Sequence, residues 1–262
     1  MSTGLWAKDQ LKLAFHMYCQ LPFGKLHGRN PEIIQLAGLI GRTPSAVAMK
    51  LVNFASLDPA ITRTGRKGLG GASKLDREVW SEFHEDWEGL ALECERLRER
   101  FGLLPAESTE DASVDDLPMP SDFTGETRRI LTEQRIKQNF FRRAVLASYR
   151  GRCCMSGLSE PRLLIASHIV PWSKDKVNRL NPSNGLCLSA LHDRVFDQGF
   201  ITLSDDGAII LSSELLKRDD PFIQTTLKSL EGHMIEMPER FAPDFAFIQH
   251  HRTEIFLDNR KK

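Results

Sequence analysis

At 262 residues the chain exceeds the roughly 100 to 200 of one ordinary domain, so two domains are expected. Hydrophobic residues make up 41% and charged residues 27%, which excludes a disordered or fibrous chain. Formal net charge is zero, no apolar run approaches the roughly 18 residues of a membrane span, and MSTGLWAKDQ lacks a signal-peptide hydrophobic region, so a cytoplasmic protein without a membrane partner is expected.

In chain order, Leu5 to Cys19, Pro31 to Ile40, Pro44 to Phe54 and Leu75 to Phe101 carry apolar residues at spacings of three and four, which predicts a mainly helical domain over 1–104. Within it, a Gly-containing break at Gly41 to Thr43 precedes a helix opened by Thr43 and Pro44, as in a helix-turn-helix. Arg42, Ser45 and Lys50 would then face DNA, and the competing reading is a two-helix hairpin that packs a bundle. TGRKGLGGASK, 64 to 74, reads as a flexible loop or as a phosphate wrap. Residues 105–122, rich in Pro, Ser and acid, read as a linker to a second domain over 123–262.

Charge is unevenly placed. From Arg128 to Arg179 there are twelve Lys or Arg against three acids, whereas Glu85 to Asp116 holds eleven acids against three arginines. The basic block suits a phosphate-binding surface, with Arg142, Arg143, Lys174 and Lys176 as the candidate contacts, or else a solvated helix face. Thr127 to Tyr149 has helical spacing. The period then changes: RLLIASHIV reads as a strand, NGLCLS as a second short strand, ALHDRVFDQ as a helix ended by Gly199, FITLSDDGAIILS as a hairpin around Asp-Gly, and 245–256 as a final helix. The five cysteines include no C-x-x-C pair, so they read as reduced core thiols, and no structural zinc is expected.

ASHIVPW (166–172), NPSNGLCLS (181–189) and LHDRVFDQG (191–199) together resemble the HNH, or ββα-metal, nuclease motif. The resemblance implies an α+β chain: a helical N-terminal domain, then a ββα nuclease domain with flanking helices and a β-hairpin. It also implies that His168 is the base that activates water and that Asn184 holds the intervening loop and orients that base. Asp193 and Asp197, four apart on one helix face, would hold one Mg²⁺ or Mn²⁺, with His192 as an alternative ligand or a phosphate contact. Where many family members have a metal ligand before the first-strand His, this chain has Ser167. The implied activity is metal-dependent cleavage of double-stranded DNA, in a bacterial restriction or anti-phage setting. The sequence leaves the oligomeric state open, with a homodimer as one candidate because one site per chain cuts both strands more readily in a pair. The alternatives are a DNA-binding regulator with a degenerate nuclease fold and an RNA-directed nuclease or toxin.

Overall fold

The structure is a computed structural model and describes residues 4–62, 70–102 and 125–259, with side chains from 129 onward in the last stretch. The expected linker and most of the Gly-rich loop lie outside the described residues. Two compact units are present, residues 1–148 and 149–262.

The first unit is built from helices α1 (Lys8–Gln20), α2 (Pro31–Leu39), α3 (Pro44–Ala55), the single turn α4 (Pro59–Thr62), α5 (Lys74–Glu85), α6 (Trp87–Arg100) and α7 (Gly125–Ser148). Around α1 pack α3, α5, α6 and α7. The reason is Phe15, fully buried, whose ring lies 4.5 Å from Phe83 and 4.9 Å from Phe54. Burial of each such side chain contributes roughly 1.5 to 3 kcal/mol. The expected helix over 75–101 is two helices. Asp86 takes φ −146° and ψ 78°, ends α5, and caps α6 by accepting the Gly89 N–H at 2.8 Å. Helix α7 follows the segment read as a linker, yet it packs on α1 and α6 because Phe140, Phe141, Ala144 and Val145 are buried in this unit.

The second unit holds strands β1 (Leu164–His168) and β2 (Gly185–Ser189), helix α8 (Ala190–Asp197), strands β3 (Ile201–Leu203) and β4 (Ile209–Leu211), the short helices α9 (Ser213–Leu216) and α10 (Pro221–Thr226), and α11 (Phe245–Glu254). β1 and β2 pair antiparallel, with His168 opposite Gly185 and Ser167 opposite Leu186, and α8 packs on both strands. β3 and β4 form the predicted hairpin. This is the α+β arrangement expected from the sequence.

At the end of α8, Gly199 sits at φ +76°, and a Cβ there would lie 2.2 Å from the Ile255 carbonyl oxygen. A glycine is therefore required to bring the α8 terminus against the end of α11. His251 of α11 completes the join: its ring stacks on Phe196 at 3.7 Å, with Nδ1 2.9 Å from the Thr202 hydroxyl and Nε2 3.1 Å from the Phe196 carbonyl. Burial lowers the His251 pKa to about 4.

Candidate active site

The last residue of β1 is His168, beside a loop that runs from Ile169 to the start of β2. Its Nε2 lies 2.9 Å from the backbone carbonyl of Arg179. A carbonyl only accepts, so Nε2 carries the proton and the lone pair resides on Nδ1. Burial lowers the pKa of His168 to about 4, against the smaller opposing effect of the Arg179 carbonyl. The ring is therefore neutral at pH 7 and presents a proton acceptor.

Asn184 is fully buried at the foot of β2. Its Oδ1 accepts the Val170 N–H at 2.8 Å, and its Nδ2 donates to the Val170 carbonyl at 3.2 Å and to the Asn178 carbonyl at 3.4 Å. The Ile169 N–H adds a bond to the Asn184 carbonyl at 3.0 Å. One side chain thus closes the loop across both of its ends, directly after His168. Within the loop, Asp175 accepts from the N–H groups of Val177 and Asn178, each at 3.0 Å, and Lys174 and Lys176 are exposed. Trp172 is half-buried. Its ring stands edge-on to His168 at 5.5 Å and beneath the Arg179 guanidinium at 5.0 Å. No sequence signal marked Arg179 as the backbone partner of His168, since a carbonyl contact leaves no trace in residue identity.

Helix α8 is capped by Ser189, whose hydroxyl accepts the His192 N–H at 3.2 Å. Asp193 is half-buried and Asp197 exposed, one helical turn apart. His192 does not join them. Its ring turns inward, 5% exposed, with Nδ1 3.3 Å from Cys153 Sγ. Adjacent residues on a helix point about 100° apart, which is why a ring turned inward leaves the neighbouring carboxylate on another face. Among the described residues no three His, Cys, Asp or Glu side chains come together as a metal-binding group. Two carboxylates one turn apart still supply hard oxygen donors of the kind Mg²⁺ or Mn²⁺ accepts, with water and phosphate able to complete a shell. Ser167 lies on β1 with its hydroxyl buried and unpartnered.

Cys153 is a free, buried thiol, as expected, and it also has a polar partner in His192. Burial pushes its thiol up, but hydrogen bonds from His192, the Ser156 hydroxyl and the backbone of Ser156 and Met155 bring it down to about 6. No C-x-x-C pattern flagged it, because its partner stands 39 residues away.

Several candidate DNA contacts have other partners. Arg42 donates to the Gly4 and Leu5 carbonyls at 2.6 Å and lies over the Trp6 ring at 4.9 Å. Lys50 is buried against Asp76 at 2.9 Å. Both cations are committed inside the helical unit, which corrects the expectation that they face DNA and favours the hairpin reading of α2 and α3. Ser45 is exposed. Arg143 pairs with Glu32 at 2.8 Å, and Arg142 is half-buried on α7.

No helix among the described residues is long and apolar enough to cross a membrane. No curated protein matches the chain. Residues 153–204 match the family model of the HNH endonucleases, a group generally dependent on a divalent metal and acting on nucleic acid. The matched segment runs from the Cys153 turn through both strands and α8 to β3, so the residues that build the His168 site are those the family model spans. On that match and on the ββα unit that carries it, residues 153–204 are an HNH endonuclease domain, which makes the chain a nuclease, a hydrolase of phosphodiester bonds.

Proposed function

We propose that the chain cleaves double-stranded DNA with His168 as general base, acting through Nδ1. The observation that carries this reading is the Nε2 contact to the Arg179 carbonyl, which fixes the tautomer and the plane of a neutral ring. His168 draws the proton from a water as that water attacks phosphorus. Asn184 keeps the loop closed against β2, so the ring cannot swing away from the attacking water. Lys174 and Lys176 contact backbone phosphates from the exposed side of the same loop. Asp193 and Asp197 hold one divalent cation. That cation, when bound, offsets charge on the phosphate and the departing oxygen.

The biological setting we assign, on resemblance alone, is restriction or anti-phage defence. The test is plasmid nicking with and without Mg²⁺, on modified and unmodified DNA, with an RNA of matched length as a third substrate. The wild type is expected to nick plasmid only with metal, and His168→Ala to be slower by on the order of 10² to 10⁴ at unchanged DNA affinity. Turnover close to wild type in His168→Ala removes the base assignment. Binding without any cleavage returns the chain to a DNA-binding regulator, and cleavage of RNA alone changes the substrate.

A further inference from the structure

A buried contact that this chemistry leaves unused joins the turn before β1 to the helix that carries the carboxylates. Cys153 opens that turn: its N–H donates to the Leu158 carbonyl at 2.8 Å, and its carbonyl accepts from Gly157 N–H at 2.8 Å. The Ser156 hydroxyl and the backbone of Ser156 and Met155 favour the charged form of its thiol. The same sulfur lies 3.3 Å from Nδ1 of His192, and both side chains are buried, at 0% and 5% exposure. In the arrangement proposed below, Nδ1–H of His192 donates to Cys153 Sγ.

Helix α8 is eight residues long, a little over two turns. A helix that short has little intrinsic stability and takes its orientation from what holds it. The Ser189 cap fixes where α8 starts. The His192 ring, pinned at the third helical residue, fixes its rotation about its own axis. With His192 turned inward, Asp193 lies about 100° round the helix and Asp197 about 140°, both away from the core. That agrees with Asp193 half-buried and Asp197 exposed. Rotating α8 by about 30° would move a carboxylate roughly 5 Å from the axis by about 2.5 Å, far outside the few tenths of an ångström that a coordination shell accepts.

We infer that Cys153 is a positioning residue of the nuclease site: by accepting Nδ1–H of His192 it locks the rotation of α8 and so aims Asp193 and Asp197. The inference rests on the proposed assignment of those two carboxylates to the cation.

Two measurements on the intact chain test it apart from cleavage. In metal-free wild type, nitrogen-15 NMR of the imidazoles is expected to find His192 as the Nδ1–H tautomer. Bound Mn²⁺, followed by electron paramagnetic resonance during titration, is expected to need roughly tenfold more metal in Cys153→Ala. Cys153→Ser keeps an acceptor and should recover most of that loss, and it also serves if the alanine variant folds poorly. Cys154→Ala removes the neighbouring buried thiol and should lower stability in urea while leaving Mn²⁺ binding at the wild-type level. His192→Ala combined with Cys153→Ala should be no worse than either alone. Wild-type Mn²⁺ affinity in Cys153→Ala, or an Nε2–H tautomer at His192, overturns the inference while leaving the nuclease reading intact. Unchanged Mn²⁺ binding in Asp197→Ala instead overturns the carboxylate assignment, and the inference falls with it.

Discussion

At His168 the surrounding protein opposes the charged form of the ring, because burial outweighs the help that the Arg179 carbonyl gives to a proton on the ring. Its pKa near 4 places the loss of the acceptor form well below the usual 6.5. The acid limb of kcat/KM, which reports the free enzyme, is therefore expected near pH 4 to 5, with a flat profile above it. A limb at 6.5 in a pH series would mean a solvated base, not the buried one described. The family resemblance pointed to His168 and Asn184, because the segments that carry it lie within one short stretch of chain. Cys153 was read as filler since its role depends on a partner that only folding brings near. For Arg42 and Lys50 the sequence left two readings open for the opposite reason: a cation on a predicted helix face looks available until Trp6, Asp76 and two backbone carbonyls are folded against it.

Among the elements, the second unit follows its sequence pattern closely. β1, β2, α8 and the β3–β4 hairpin appear where period and turn residues place them, because each period change is marked by Pro, Asn-Gly, Gly or Asp-Gly. The long apolar pattern over 75–101 concealed a break, since Asp86 both ends α5 and caps α6 without disturbing the spacing on either side. The end of α8 was legible only as a glycine stop. The structure adds the reason that this stop accepts no other residue, namely the Ile255 carbonyl against the missing Cβ. Gly199→Ala combines a positive φ with that collision, so it should cost roughly 3 kcal/mol and lower Tm by on the order of 10 °C. Urea and thermal unfolding check this, and a loss below about 1 kcal/mol would mean that the α8–α11 junction relaxes freely.

Across the whole molecule, three histidines, two buried and one half-buried, share one electrostatic character. His16 in the helical unit falls to about 3, and His168 and His251 in the nuclease unit to about 4, in each case mainly through burial. Each folded-state pKa lies below the unfolded value, so between pH 6.5 and about 4 the unfolded chain holds protons that the folded chain does not. Stability therefore rises with pH through that window and is fully present above it. Each histidine should contribute on the order of 2 kcal/mol of loss between pH 7.5 and pH 5. Urea titrations at the two pH values measure the sum, and His251→Gln should flatten the dependence. Equal midpoints at pH 7.5 and pH 5 in the wild type would show that these rings are not held neutral.

The loop after His168 also separates two tasks that share one stretch of chain. Its ends hold His168 in place: Val170 and Asn178 bond to Asn184, and Arg179 holds Nε2 of His168. Between them Ser173, Lys174, Lys176 and Val177 are exposed, and their shape is set locally by Asp175. Residues 173–177 are in this sense an exchangeable cassette. A different tip with its own Asp-type turn can be spliced between the same anchors without moving His168, so on the proposed roles selectivity can diverge while the hydrolytic machinery stays constant.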